Sequence, residues 1–129
     1  MLNLRNKVCI ITGCNGYVGK TIVKKLYSLG VKVIGTDIIK KNNKYLKYFY
    51  KLDLNNKIEI ENFAKLINRK FKKIDILVNN ASYVGTSNIS KNNHEKTFYN
   101  EKFERLNLTN TIYFTNLILP PLHVSMNNK

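Results

Sequence analysis

The sequence predicts an α/β fold in which helices cover both faces of a doubly wound parallel sheet. Three observations favour this class. Short apolar runs, typical of strands buried on both faces, alternate with amphipathic helices. A glycine-rich turn joins the first apolar run to the first helix. The chain has 129 residues and 43% hydrophobic residues, which is material for one core and therefore for one domain.

The apolar pattern sets the order of the elements. Helices are expected where apolar side chains recur every three or four positions, and Gly30 is expected to cap the first of them. Pro120 and Pro121 are expected to end the last helix. The predicted strands are residues 7–12, 31–36, 48–52 and 74–78, and the predicted helices are 18–29, 57–71 and 101–119.

The segments between these elements are polar. Residues 40–47 are expected to form a solvated loop or a short irregular helix. Residues 81–100 are expected to be either functional or loosely ordered, and a loop on the substrate side of the fold is favoured. The domain is expected to span residues 1–121, and residues 122–129 are expected to be an unstructured tail.

The formal net charge of +14 is consistent with nucleic-acid binding, but the distribution of charge argues against it. Lysine outnumbers arginine by 19 to 3, and the lysines are scattered along the chain. We therefore expect no nucleic-acid partner, and a positive field that suits an anionic cofactor. The sequence shows neither a signal peptide nor a membrane-spanning stretch, which predicts a cytoplasmic protein without a membrane partner.

The cysteines and histidines carry no recognisable chemistry. Cys9 and Cys14 do not have the spacing of a zinc site or a redox pair, so both are expected to be reduced thiols, with Cys9 buried in the first strand. His94 and His123 have no partner at ligand spacing and are expected to be exposed. We expect no metal site.

The turn Thr12-Gly13-Cys14-Asn15-Gly16-Tyr17-Val18-Gly19 is the strongest functional signal. A pyrophosphate requires closely approaching backbone, free N–H donors at a helix start and tight packing of helix on strand, and glycine permits each. The turn lies between a predicted strand and a predicted helix, which is the required context. It predicts a phosphate cradle, although an ordinary turn is the simpler alternative.

Asp37 ends the second predicted strand. There, a carboxylate can accept hydrogen bonds from the two hydroxyls of an adenosine ribose and would repel a 2'-phosphate. The sequence therefore favours NAD as the cofactor. Two alternatives stay open: Asp37 is an exposed loop acid, or Lys40 or Lys41 turns inward and favours NADP.

With these motifs, the chain from Leu4 to about Leu122 resembles the short-chain dehydrogenase/reductase family. Further marks of the resemblance are Asp53-Leu54, Asn79-Asn80-Ala81-Ser82 and Leu106-Asn107-Leu108-Thr109. The resemblance implies an incomplete, Rossmann-like sheet of about four strands in the order 3-2-1-4. It implies cofactor-binding roles for Gly13, Asn15, Gly16, Tyr17, Val18, Gly19, Asp37, Ile38, Asp53, Leu54, Asn79, Asn80 and Ala81.

The resemblance also implies that Asn107 is the catalytic asparagine that holds a water in the family's proton relay. The alternative is a helical asparagine whose amide is satisfied by nearby backbone. The family's other catalytic groups are a serine after the fifth strand and a tyrosine followed by lysine four residues later. None of the eight tyrosines has a lysine at that spacing, and Ser125 follows no predicted strand.

The function implied by the resemblance is hydride transfer between a nicotinamide cofactor and a small alcohol or carbonyl substrate. The resemblance is also compatible with a homo-oligomer. The stretch from Tyr83 to Asn88 is similar to family members of surface-glycan or nucleotide-sugar metabolism. Two rival hypotheses are a nucleotide-binding protein without turnover and a nonfunctional product of a premature stop. The second of these is favoured by the residues from His123 onward, which are expected to match nothing in the family.

Overall fold

The computed structural model describes residues 3–83 and 104–127, with the side chains of the second segment described as far as residue 119. The strands are β1 (Val8–Thr12), β2 (Lys32–Asp37), β3 (Tyr48–Lys51) and β4 (Ile76–Val78). The helices are α1 (Tyr17–Ser28), α2 (Lys57–Lys70) and α3 (Asn110–Asn127), and a π-helical turn (Arg105–Thr109) leads into α3.

The four strands form one parallel sheet in the order β3-β2-β1-β4, which confirms the predicted fold class. Cys9 of β1 pairs with Val33 of β2 on one side and with Ile76 of β4 on the other. The chain therefore builds the sheet from β1 outward to β3 and then returns to the opposite side of β1 for β4.

Successive side chains of each strand point to opposite faces, which divides the core into two layers. Cys9 and Ile11 pack with Val23 of α1 on one face. Ile10 packs on the other face with residues of α2 and α3, among them Phe63 and Phe114. Helices thus cover both faces, because the strands carry apolar side chains on both sides of the sheet.

The loop from residue 40 to 47 is more closely packed than predicted. Tyr45 and Leu46 are partly buried against the α1 layer. A Cβ atom on Gly35 would lie 2.8 Å from Leu46 Cδ1 and 2.7 Å from Cys14 Sγ. The missing side chain of Gly35 therefore makes room for two segments that are distant in sequence.

The predicted end of the last helix is wrong. Helix α3 continues through Pro120 and Pro121 to Asn127, so residues 122–127 are helical rather than an unstructured tail. A proline inside a helix removes the hydrogen bond that its nitrogen would donate and crowds the carbonyl four residues earlier, which destabilises or kinks a helix without always ending it. The predicted helix start at 101–103 and the predicted loop beyond residue 83 lie outside the described residues, as do His94 and the side chains of His123 and Ser125.

Asp75 fastens β4 to β1 at the amino-terminal ends of these strands. Its backbone N–H donates to Val8 O at 2.9 Å, and its Oδ2 accepts from Val8 N at 2.9 Å. The ammonium groups of Lys7 and Lys73 each lie 3.3 Å from Oδ1. None of the helices in the described residues is long and apolar enough to cross a bilayer.

Candidate functional site

A cleft of about 680 Å³ opens at the carboxyl ends of the strands. It lies at the point where the strand order reverses, because the connections from β1 and from β4 leave the sheet in opposite directions and leave a crevice between them. The glycine turn after β1, Asp37 at the end of β2, the loop after β3 and residues 80–83 after β4 all line this cleft.

Gly13 and Gly19 are glycines for reasons internal to the fold. Gly13 has a φ of 65°, and a Cβ there would lie 2.8 Å from Ala81 Cα. A Cβ on Gly19 would lie 2.1 Å from Gly13 O, so α1 packs against the turn only without a side chain at this position.

Gly16 differs from its two neighbours in the motif. Its φ is −70°, which any residue adopts, and the nearest atom to a Cβ would be Gly13 O at 3.4 Å. The fold itself would accept a side chain at this exposed position. Because Gly16 lines the cleft, its missing side chain leaves the backbone there open to a ligand.

Helix α1 begins at this turn with its N-terminal end directed to the cleft. Gly16 is the N-cap residue and carries no side chain to bond the first N–H groups of the helix. The first turn contains no acidic residue that would offset the positive end of the helix dipole. The start of α1 is therefore suited to an anionic group such as a phosphate.

Thr12 and Asn80 hold the turn against the end of β4. Thr12 Oγ1 accepts hydrogen bonds from Asn80 N at 3.1 Å and from Ala81 N at 3.0 Å. Asn80 Nδ2 donates to the carbonyl oxygens of Thr12 and Gly13 at 3.1 and 3.0 Å. Asn80 therefore fixes the shape of the turn, so its amide is already engaged with backbone.

Asp37 links the glycine turn to the end of β2. Its Oδ2 accepts from Asn15 N at 2.9 Å and its Oδ1 from Ile39 N at 3.2 Å. Asn15 Nδ2 in turn donates to Ile39 O at 2.6 Å. A carboxylate offers about four acceptor positions, so two remain for hydroxyl groups of a ligand in the cleft.

The loop after β3 is rigid by its own hydrogen bonds. Asp53 Oδ1 accepts from Asn55 N at 2.8 Å, and Asp53 O accepts from Asn56 N at 3.0 Å. Asn56 then caps α2, and Glu59 of the first turn accepts from Asp53 N at 2.9 Å. Asp53, Leu54 and Asn55 form the wall of the cleft farthest from β4.

Asn107 does not line the cleft but holds a residue that does. Its Oδ1 accepts from Tyr83 N at 2.7 Å, and its Nδ2 donates to Tyr83 O at 3.1 Å. The side chain therefore bonds the backbone, which was the alternative to a catalytic role. The catalytic role stays a prediction, and in this structure Asn107 positions Tyr83 at the edge of the cleft.

The structure brings together twelve of the thirteen predicted cofactor-binding residues. Asn79 is the exception: it is outside the lining, and its Nδ2 donates to Thr115 Oγ1 at 2.9 Å. Neighbouring side chains at a strand end point in opposite directions, so Asn79 faces α3 when Asn80 faces the turn. Lys41, expected only under the alternative that favours NADP, also lines the cleft. The other lining residues were not predicted to contact a cofactor, namely Thr12, Thr36, Ile39, Leu52, Asn55, Ser82, Tyr83 and Leu106.

Cys14 lies within the glycine turn but is fully buried. Burial, aided by the negative charge of Asp37, raises the pKa of its thiol from 9.0 to about 12. Burial alone raises the pKa of Cys9 to the same value of about 12. Both side chains are reduced, as predicted, and both are held in the unreactive thiol form.

A second hollow, of about 710 Å³, lies around the end of α1 and the start of β2. Its lining includes Arg5, Lys32, Lys44 and Lys47, but neither the glycine turn nor any carboxylate that could bind a ribose. The cleft at the carboxyl ends is therefore the better candidate. No group of three or more metal-binding side chains occurs in the part of the chain that the structure describes.

Comparison with known proteins gives matches over nearly the whole chain. The family model of the short chain dehydrogenases matches residues 7–128. The expectation that the residues from His123 onward match nothing in the family is therefore wrong, since the match extends to residue 128. The 3-oxoacyl-(acyl-carrier-protein) reductase FabG of Buchnera aphidicola (subsp. Schizaphis graminum) is 34% identical over 128 residues, which are 92% of this chain and 50% of the relative. The chain thus spans about half the length of the curated relative it matches.

Solved structures show the same architecture. The ligand-free aldohexose dehydrogenase of Thermoplasma acidophilum superposes with a TM-score of 0.75 at 25% identity, over 92% of this chain and 45% of that one. The NADH-dependent reductase A1-R' complexed with NAD superposes with a TM-score of 0.78 at 23% identity, over 97% and 55%. These relatives give no support to the expected link with surface glycans. By its motifs, its sheet order and these matches, the chain belongs to the short chain dehydrogenase family.

Proposed function

We propose that this chain is the dinucleotide-binding part of an NAD-dependent oxidoreductase that interconverts a small alcohol and a carbonyl compound. The observation that carries the proposal is Gly16, whose side chain is absent at the mouth of the cleft although the fold leaves room for one. Gly13 and Gly19 are required by packing, so Gly16 alone reports on a ligand.

The residues of the cleft fit the parts of a dinucleotide in order. The pyrophosphate would lie on the backbone between Gly13 and Gly19, at the positive end of α1. The adenosine ribose would lie at Asp37, whose carboxylate has two free acceptor positions. The adenine ring would then lie beyond β2, against Leu54 at the end of β3.

A bound nicotinamide dinucleotide would supply or accept the hydride. The residues of this chain hold the cofactor and keep the end of β4 in place, with Asn107 positioning Tyr83. By resemblance to the family, the general acid and most of the substrate pocket would be supplied by the carboxy-terminal half that family members have. We infer a small-molecule substrate and leave its identity open.

Asp37 and Lys41 give opposite indications about the cofactor. Both line the cleft. The carboxylate of Asp37 would accept bonds from ribose hydroxyls and repel a 2'-phosphate, whereas the ammonium group of Lys41 would attract one. We favour NAD because Asp37 is held in place by two backbone N–H groups, whereas Lys41 is an exposed loop residue.

Isothermal titration of the chain with NADH and NADPH tests the proposal. NADH is expected to bind more tightly, and Asp37→Ala is expected to narrow the difference. Gly16→Asp is expected to abolish the binding of both cofactors, since it places a bulky anion where the pyrophosphate would lie. The melting temperature of each variant is the control for folding. Equal affinity of the unaltered chain for the two cofactors would contradict the assignment of NAD, and no binding of either would contradict the proposed function.

A nucleotide-binding protein without turnover is the second candidate. It is favoured by Asn107, whose side chain is engaged with the backbone of Tyr83 through both of its polar atoms. Turnover by a fusion of the chain with a carboxy-terminal half from the family distinguishes the two candidates, because it is expected for the first and not for the second.

A further inference from the structure

Asn110 interrupts the apolar face that α3 turns to the core. Asn110, Phe114 and Ile118 follow one another at intervals of four residues, and all three are at most 1% exposed. Phe114 stacks on Phe63 with ring centroids 5.9 Å apart, and Ile118 belongs to the same core cluster. An apolar side chain would be expected at the first position of this row.

The amide of Asn110 is only half satisfied. Its Nδ2 donates to Leu54 O at 2.6 Å. Its Oδ1 is buried and has no hydrogen-bond partner among the residues that the structure describes. An unpaired buried acceptor is unfavourable, so the residue is costly for the fold at this position. The amide donates a hydrogen bond to Leu54 O, which an apolar side chain could not do.

Leu54 belongs to the wall of the cleft that follows β3. The bonds of Asp53 to Asn55 and Asn56 fix the shape of this loop but not its position relative to α3. The Leu54 side chain packs in the same core cluster as Phe114 and Ile118 of α3, and the bond from Asn110 adds a direct link between α3 and the backbone of Leu54. Three residues earlier, Asn107 bonds the backbone of Tyr83 on the opposite side of the cleft.

The π-helical turn lets two asparagines of one helix reach different walls. A π-helical turn contains one more residue per turn than an α-helix, which changes the angular offset between side chains before and after it. Asn107 lies inside this turn and Asn110 directly follows it. The π-helical turn and the start of α3 therefore bond segments on both sides of the cleft.

We propose that Asn110 is a positioning residue that holds the adenine-binding wall of the cleft through Leu54 O. The inference rests on the proposed function, because it needs an adenosine nucleotide in the cleft. It predicts that the Asn110 side chain influences the binding of ADP, which has the adenosine and pyrophosphate parts alone.

Asn110→Asp tests the inference through the pH dependence of ADP binding. An ionised carboxylate cannot donate to Leu54 O and repels it, so ADP is expected to bind about tenfold more weakly than to the unaltered chain at pH 8. A protonated carboxyl can donate through its O–H. The affinity relative to the unaltered chain is therefore expected to recover as the pH is lowered toward 5.

Two further variants make the result specific. Asn116→Asp places the same charge on an exposed position of α3 and is expected to follow the unaltered chain at every pH. Asn110→Leu cannot donate at any pH, so its binding of ADP is expected to stay weak without recovery. Asn110→Leu also serves if Asn110→Asp fails to fold at pH 8.

The outcomes separate the inference from the proposed function. If the unaltered chain binds neither ADP nor NADH, both are overturned. If it binds ADP, and the folded Asn110 variants bind it equally well, the inference alone is overturned. A loss in Asn110→Asp that persists at low pH, with an unchanged melting temperature, also overturns it, because a restored donor would then have no effect.

Discussion

Single residues of the glycine turn have separate physical duties. Gly13 allows a positive φ, Gly19 allows close packing of α1, and Gly16 leaves the cleft open. Cys14 lies among them but faces the core, where its Sγ occupies the room that a side chain on Gly35 would need. The turn is therefore a boundary between the core and the cleft, with neighbouring residues facing opposite ways.

The two thiols give a prediction about pH. Because burial raises both pKa values from 9.0 to about 12, the thiolate fraction at pH 8 falls from about one in ten to about one in ten thousand. The folded chain is expected to react with iodoacetamide about a thousandfold more slowly than the chain in guanidinium chloride. Equal rates for the folded and unfolded chain would show that the thiols are accessible.

The same shift has a consequence for stability. Because the pKa of each thiol is higher in the folded state, the unfolded chain releases these protons at a lower pH. The contribution of the protonated thiols to the free energy of unfolding is therefore fully present below pH 9. It is lost progressively as the pH rises from about 9 toward 12. Urea unfolding midpoints of the chain and of Cys9→Ala across this range measure it, and parallel curves would contradict it.

At the level of elements, β4 is joined to the rest of the sheet along one side, by its pairing with β1. Asp75 strengthens this junction with a hydrogen bond to Val8 N and with ion pairs to Lys7 and Lys73. Its side chain is 9% exposed, so these interactions are little screened by water. The position of β4 in turn sets the place of Asn80 and of the cleft wall that follows it.

Asp75→Asn is expected to lower the free energy of unfolding by about 1 to 3 kcal/mol, since it removes a charge-assisted hydrogen bond from a nearly buried group. Urea unfolding followed by circular dichroism measures the change. Glu104→Gln, which removes an exposed carboxylate, is the matched control and is expected to leave the midpoint nearly unchanged. If both variants unfold at the same urea concentration, the junction does not depend on Asp75.

For the whole molecule, the described part of the sheet has an open edge at β4. Ile76, Leu77 and Val78 are only partly buried there, although their side chains are apolar. An open apolar edge offers N–H and C=O groups to other chains. A polypeptide of these 129 residues is therefore expected to self-associate or aggregate in a sedimentation experiment. A single monomeric boundary with cooperative melting would contradict this expectation.

The same polypeptide is expected to show no dehydrogenase turnover, even when saturated with NADH. Asparagine does not titrate, so Asn107 cannot act as the general acid or base that hydride transfer to a carbonyl requires. A NADH oxidation assay with a panel of carbonyl compounds measures this, with Gly16→Asp as the cofactor-free control. Turnover that disappears in Gly16→Asp would reveal an acid within these residues.

A fusion protein serves as the positive control for that assay. Fusing the chain to a carboxy-terminal half from the family is expected to restore turnover, and Asn107→Ala in the fusion is expected to reduce it. Since Asn107 holds Tyr83 by two hydrogen bonds, the loss is expected even if Asn107 only positions the cleft.

The order of strands and helices along the chain and the glycine turn could be predicted from the sequence, because they follow from local patterns: apolar runs, helical spacing, and glycines where backbone must approach closely. The cleft residues Asp53, Leu54, Asn80 and Ala81 were predicted through the resemblance to a known family. Even the two faces of the sheet follow from the alternation of side chains along β1 and β2. What the pattern could not locate was the end of α3, since a proline weakens a helix by an amount that its surroundings can offset.

Which polar side chains line the cleft, and which bond its walls from outside, depends on tertiary contacts. Asn107 and Asn110 differ by three positions on one helix, yet they bond Tyr83 and Leu54, residues from two different walls. Asn79 and Asn80 are neighbours, yet only Asn80 lines the cleft. Such contacts join residues far apart in the chain, and their direction depends on packing, which no local pattern records.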